Sequence, residues 1–388
     1  MIRRLTVYPL ALALPLLAAC TTNNPSAGPS ASSGPRELAV TSTDSTCDVS
    51  AQQAPSGNLV FTVKNDGSKV TEFYLLGQDG LRIVGEVENI GPGLTRDLVV
   101  TTAAGSYFTA CKPGMAGDGI RSTFTVTDSG EPVAADGNEA ELVATANAQY
   151  ASYVKDQADQ LLAKTEQFVA DYKSGKDDEA RHLYADARVH WERIEPVAES
   201  FGDLDPRMDL READLQEGQE WTGWHRIEKD LWPPKTGYRA MTRSQRATVA
   251  DRLLADTKEL HKRTRTMTFT ADQIGNGAKE LLDEVATGKV TGEEEAWSHT
   301  DLWDFQANVD GARVAWEGLR PVLQQKNRDL DAELEQRFAA LQKLLDGHKR
   351  GDGFVPYTEL TKDQVRTLSD AVNALSEPLS QLTAAVVL

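Results

Sequence analysis

Two short segments of this chain echo one another: Trp191-Glu-Arg-Ile-Glu195 and Trp224-His-Arg-Ile-Glu228. In each, Trp and Ile stand three residues apart and share one helical stripe. The polar pairs, Glu192 with Glu195 and His225 with Glu228, occupy the stripe beside it. Side chains at i and i+3 are neighbours on a helix, roughly 5–6 Å apart at Cβ, so each pair can grip one cation while the apolar stripe packs. Helical bundles build metal sites from such pairs projecting inward on facing helices. Asp209, after Asp205-Pro206 between the two segments, is a natural fifth ligand. In His299-Thr-Asp-Leu-Trp-Asp304, Asp304 stands three after Asp301, with Asn308 and Asp310 beyond. The ligand set read from spacing is therefore His225, Glu228, Glu192, Glu195, Asp209 and Asp304. Oxygen donors with one imidazole suit iron, manganese or zinc. The competing reading pairs these acids with Arg193 and Arg226. His190 is a spare that more readily packs or faces solvent, and His182, His261 and His348 read as surface or structural.

Other chemistries lack their residues. There is no His-Glu-x-x-His zinc-protease pair, Gly-x-Ser-x-Gly elbow, Walker loop or dinucleotide fingerprint. Of the 388 residues, 41 are Lys or Arg and 59 Asp or Glu, a formal net charge of −18 that argues against nucleic acid. Only three cysteines are present, too few for a disulfide-dense scaffold or a multi-cysteine zinc module.

The elements that must position these residues follow from the pattern along the chain. Arg3 and Arg4 precede an apolar run, Leu5 to Leu17, that closes on Leu17-Ala-Ala-Cys20. This is the layout of an export signal, and its end resembles a bacterial lipobox, which implies a lipidated Cys20 and a protein anchored outside the cytoplasm. Residues 21–36, rich in Pro, Gly, Ser and Asn, read as a flexible tether.

Residues 37–128 change to short strands, expected at 58–63, 70–76, 81–88, 95–100, 106–110 and 123–127, which is a small β-sandwich. Asp66-Gly67 between the first two is a hairpin signal. Cys47 and Cys111 fall here; in an exported protein a disulfide is the default, with a free or metal-binding pair as the alternative. The segment resembles a cupredoxin-like domain, with Cys111-Lys-Pro-Gly-Met115 where such domains carry copper ligands. All six histidines lie at position 182 or later, so a blue-copper site lacks its two imidazoles. A carboxylate-based accessory site drawn from Glu72, Glu86, Glu88, Asp97 and Met115 competes with the reading of a solvated strand face.

Residues 129–138 read as a linker, and 139–388 as helical, with all seven tryptophans. Helices are expected at 139–174, 177–200, a turn at Asp205-Pro206, then 214–232, 244–265, 271–287, 293–324, 328–348 and 362–386. Capping boxes are expected at Thr270, Thr291 and Thr361. The whole is a multidomain chain, an all-β sandwich followed by an all-α bundle.

Gly223-Trp-His225-Arg-Ile-Glu228 closely resembles the GxHxxE motif of the imelysin, or peptidase M75, family. The segments 190–199 and 298–312 look like that family too. A lipobox, a cupredoxin-like domain and an M75 domain in this order resemble the EfeO-type iron-uptake lipoproteins. The resemblance implies an iron carrier, with Fe2+ or Fe3+ as cargo and zinc or copper as stand-ins in vitro. It also implies a membrane permease and a haem peroxidase as partners, and His225 and Glu228 as metal-site residues. A metal-dependent peptidase is the alternative that the M75 label carries. From the ligand types alone, metal affinity should weaken below about pH 6.5 and fail near pH 4.

Overall fold

The computed structural model describes residues 35–387 except 82, 116 and 131–137. The expected signal with Cys20, almost all of the 21–36 tether and most of the 129–138 linker lie outside the described residues. The described strands and helices fall into one compact unit.

Nine strands precede the helices: β1 (Glu37–Ser42), β2 (Cys47–Val49), β3 (Gln53–Pro55), β4 (Gly57–Asn65), β5 (Thr71–Leu76), β6 (Ile83–Ile90), β7 (Thr95–Thr102), β8 (Gly105–Cys111) and β9 (Ile120–Thr127). They form two sheets, ordered β2-β1-β4-β7 and β3-β9-β8-β5-β6. Alternation along β4 turns Leu59, Phe61 and Val63 inward. Phe61 meets Phe73 and Phe124 of the other sheet at ring-centroid distances of 5.3 and 5.5 Å, so the aromatic core lies between the layers.

The expected hairpin at Asp66-Gly67 is not formed. β4 pairs with β1 and β7, and β5 belongs to the other sheet. A two-residue hairpin of this type needs positive φ at both turn residues, and neither Asp66 nor Gly67 has it. Instead the Asn65 amide donates to the carbonyls of Lys69 and Ile90, each at 2.7 Å, and its oxygen accepts from the Gly67 N–H. That side-chain network steers the chain from one sheet to the next.

A disulfide joins Cys47 on β2 to Cys111 at the end of β8, cross-linking the sheets. The free or metal-binding alternative is thereby overturned, because Cys111 has no thiolate to offer. The adjacent Lys112 is buried, lies 4.6 Å from the Tyr74 ring centroid, and pairs with Asp156 in the first helix. The proposed accessory ligands do not converge. Glu72 is buried and accepts the Tyr74 hydroxyl at 2.7 Å, Glu86 lies across from Tyr74 on β6, Asp97 is exposed in the other sheet, and Met115 is exposed in the loop. Among the described residues, the side-chain groups with metal-ligand geometry include none of them.

The helices are α1 (Glu139–Ser174), α2 (Asp177–Glu192), α3 (Asp205–Met208), α4 (Trp224–Leu231), α5 (Arg243–Thr264), α6 (Ala271–Thr287), α7 (Asp301–Lys326), α8 (Arg328–Asp346), α9 (Lys362–Leu379) and α10 (Leu382–Val387). Capping boxes form at Thr270 and Thr361 as expected, and at Thr242. Three expected helices are shorter in the structure, and a fourth, 362–386, is broken after Leu379 into α9 and α10. α2 stops at Glu192 because Pro196 disfavours helical backbone at Glu195, and tighter turns follow to Leu204. The 214–232 helix is reduced to α4, after a stretch in which Gly218 and Gly223 take positive φ. The capping box at Thr291 does not form: α7 starts at Asp301, and the residues before it make irregular turns. The last of these stretches carries the buried Lys289, Glu294 and Glu295.

Lys112 and Asp156 are each less than a tenth exposed. Breaking a buried pair leaves an uncompensated charge, so Lys112→Met should cost about 3 kcal/mol in urea unfolding, and the Lys112→Met, Asp156→Leu double variant should recover most of it. Equal losses in the single and double variants would show that the pair is not the source.

Candidate metal centre

Gly223 sets the approach of α4. Its backbone, φ 87° and ψ −165°, lies in a region open essentially to glycine alone. A Cβ there would sit 2.1 Å from the Met208 carbonyl oxygen, so only glycine lets the start of α4 press against the end of α3. This contact brings His225, two residues after Gly223, to Asp209, one residue after Met208. Trp224 and Ile227 face the core, Trp224 against Phe168 and Tyr184. His225 and Glu228 are left on the adjoining stripe, fully buried among polar groups.

The His225 ring is ringed by carboxylates. Nδ1 lies 3.3 Å from Glu228 Oε2 and 4.0 Å from Glu295 Oε1; Nε2 lies 3.4 Å from Asp209 Oδ1 and 3.6 Å from Glu294 Oε1. Nε2 has no hydrogen-bond partner of good geometry, although it is buried. Two sets of three possible ligand atoms, each within 4.8 Å of one another, share this imidazole: Asp209, His225, Glu294 and His225, Glu228, Glu295. Glu228 is held from behind, accepting the Trp297 and Ser298 N–H groups at 2.9 and 2.7 Å.

Two cations anchor the remainder. Arg188, fully buried on α2, pairs with Glu192, Asp209, Glu295 at 2.6 Å and Asp304 at 3.6 Å. Lys289 donates to Glu192 at 2.8 Å and Glu195 at 2.7 Å, and Asn308 donates to the same two carboxylates.

Electrostatics follow from this crowding. Burial and the Arg188 charge both push the His225 imidazole down, but the hydrogen bond with Glu228, the Glu294 carboxylate beside Nε2 and the charge of Asp209 outweigh them, lifting it to about 10. Burial would raise Asp209, Glu228 and Glu294; Arg188 and His225 at the first, His225 at the second, and Lys289 with His225 at the third hold them below the carboxylate range. Glu195, Glu295 and Asp304 go up, through burial first and then neighbouring acids: Glu192 beside Glu195, Glu228 beside Glu295, Glu192 and Glu295 beside Asp304. The surroundings thus favour a charged imidazole beside Asp209, Glu228 and Glu294, while burial favours the proton on Glu195, Glu295 and Asp304.

Of the residues expected from the sequence, His225, Glu228 and Asp209 come together around one point. Glu192, Glu195 and Asp304 belong to the same buried network but face cations of the protein itself. Glu192 and Glu195 close on Lys289, with α2 ending between them. Asp310 lies away, at 3.4 Å from Arg193. The alternative partners, Arg193 and Arg226, are not the counter-ions: Arg226 stacks on Trp221. His190 packs, at 2.8 Å from Gln157. Sequence reasoning missed Glu294, Glu295, Arg188 and Lys289. The run Glu293-Glu-Glu295 is a visible signal, but it falls at the expected start of the 293–324 helix, whereas α7 begins only at Asp301.

Comparison with known proteins matches residues 146–382 to the imelysin family, Peptidase M75. The iron uptake system component EfeO of Yersinia pestis is 35% identical over 350 residues, 89% of this chain and 90% of its own. An Efem/EfeO family lipoprotein of Staphylococcus haemolyticus is 44% identical over 240 residues, 61% of this chain and 82% of its own. A crystal structure from Parabacteroides distasonis, solved under the name iron-regulated protein A precursor, superposes with a TM-score of 0.50 at 14% identity, covering 65% of this chain and 96% of its own, which supports the fold.

Gly223→Ala should lower stability by about 2–3 kcal/mol, since the side chain meets both a forbidden backbone region and a carbonyl oxygen. Thermal unfolding unchanged by the substitution would show that α3 and α4 are not so closely apposed.

Proposed function

Starting from its membership of the imelysin (peptidase M75) family, among relatives of the EfeO type, we propose that this chain captures ferrous or ferric iron outside the cytoplasm and delivers it to a membrane permease. In this reading Cys20 anchors it to the membrane, and a haem peroxidase works in the same system. The observation that carries the reading is the fully buried His225 imidazole enclosed by Asp209, Glu228, Glu294 and Glu295. Those are the donors a hard or borderline cation takes. The names of the relatives supply iron as the cargo.

The cation exchanges for a proton. A metal ion needs the neutral ring of His225, which the ionised acids around it now hold as an imidazolium. The protein gives up that proton when iron binds and regains it on release, so the ring of acids never lacks a positive charge. Nothing in this cycle makes or breaks a covalent bond. The carboxylates that could act as a peptidase's general base, Glu192 and Glu195, are tied to Lys289 and Asn308, which favours a carrier over the metallopeptidase reading.

His225→Ala should weaken ferrous-iron binding by at least about 100-fold in anaerobic calorimetry, more than losses typical of residues that merely orient a ligand. Equal binding by variant and wild type would remove the proposal.

Because the competing proton leaves only near pH 10, affinity should climb about tenfold per pH unit from pH 6 to 9, with at least one proton released per ion at pH 7. This replaces the sequence-based expectation that affinity falls only below about pH 6.5. Titrations in buffers of different ionisation enthalpy count the proton; a pH-independent affinity between 7 and 9 would show the ring already neutral.

A further inference from the structure

A cavity of about 360 Å³ opens beside the centre, between the 195–214 stretch and α6. Its walls grade from wet to dry. Glu280 and Glu284 of α6, with Asp214, are exposed at the rim; Asp205 and Asp209 are half-buried; Glu294 is buried at the inner wall. Gly277 makes this possible. A Cβ there would lie 1.7 Å from the Pro196 carbonyl oxygen, so α6 comes close enough for its acids to face those of the 205–214 stretch. The only basic side chain lining the cavity is Arg211, which donates to Glu294 at 3.2 Å and to Asp214 at 2.7 Å.

An acid-lined cavity by itself marks no site. Here a second observation stands at its inner end. Asp209 and Glu294 line the cavity, and the buried, unpartnered Nε2 of His225 lies 3.4 and 3.6 Å from them. The two acids therefore face the cavity and the candidate centre at once.

We propose that this cavity is the route by which the metal cation reaches and leaves His225, that its rim acids draw the cation in, and that Arg211 is the movable stopper between rim and centre. This rests on the metal-carrier reading and adds to it a path and a gate. Clefts lined by one sign of charge between low-dielectric walls concentrate counter-ions and raise on-rates, with a steep dependence on salt. Arg211 occupies the place a cation must pass. An arriving divalent ion repels the guanidinium and offers Glu294 a better partner, and Asp214 retains the arginine at the rim while the ion moves inward.

The test is stopped-flow binding of ferrous iron to the full chain under anaerobic conditions, followed by tryptophan fluorescence. Glu280→Gln with Glu284→Gln should lower the on-rate about fivefold at low salt and flatten its salt dependence, leaving the off-rate nearly unchanged. Glu333→Gln with Glu335→Gln, on α8 and away from the cavity, removes the same charge and should leave the on-rate as it is. Arg211→Gln should raise on- and off-rates together by several-fold. An on-rate untouched by the α6 pair, or lowered equally by the α8 pair, overturns the route; a slower on-rate in Arg211→Gln overturns the stopper. Failure of the carrier reading looks different: His225→Ala then binds iron as well as the wild type does, whatever the rates.

Discussion

Seven carboxylates, Glu192, Glu195, Asp209, Glu228, Glu294, Glu295 and Asp304, share one largely dry region of this protein, and the arrangement stands only because Arg188 is buried among them. Taking a charge out of water costs several kcal/mol, and a group of like charges cannot be buried without counter-charge. A guanidinium suits the hub position because it stays charged and presents five donors in a fixed fork. It gathers acids from α2, from the turn after α3, from the stretch before α7 and from α7 itself. Glu192 and Asp209 come from one part of the chain and Glu295 and Asp304 from another, so the ion pairs hold the tertiary arrangement as much as they serve the site.

Arg188 and Lys289 together still fall short of seven negative charges. In the carrier reading proposed above, protons meet part of the remainder, since the His225 ring is shifted up and burial raises Glu195, Glu295 and Asp304. In that reading the site is poised towards a cation, because each ion accepted relieves repulsion that the protons only partly offset. It is also poised to let go, since the same protons can return. Such exchange suits transient possession of a metal better than a structural site closed by its ligands.

None of the clustered metal-ligand groups among the described residues lies in the β-sandwich, which is tied to the helices through its own buried polar contacts. In the loop where a cupredoxin keeps copper ligands, Cys111 is spent on a cross-link between the sheets and Lys112 on a buried pair with α1. From there a polar chain continues: Asp156 accepts from the Gln157 amide, whose oxygen lies 2.8 Å from His190 on α2, two residues before Glu192. The sandwich is thus fastened to the helix that carries Arg188.

The sequence alone determined the periodic parts. α1, α5 and α6 fall within a residue of their expected bounds, because long amphipathic patterns with caps are local properties. It also named three of the five residues that meet at the inner ring: His225 and Glu228 share one short helix whose spacing carries the geometry, and Asp209 follows from its place between the two echoed segments. Tertiary structure decided the rest. Whether Glu195 could stand beside Glu192 depended on where α2 ended. The hairpin signal at Asp66-Gly67 gave way to a crossover fixed by the Asn65 side chain and by pairing with strands remote in sequence. Glu294, Glu295 and Lys289 lie in irregular turns, which have no period to mark them, and Arg188 sits on α2 but takes most of its partners from outside that helix. They meet His225 only because burial forces opposite charges from distant segments to find one another.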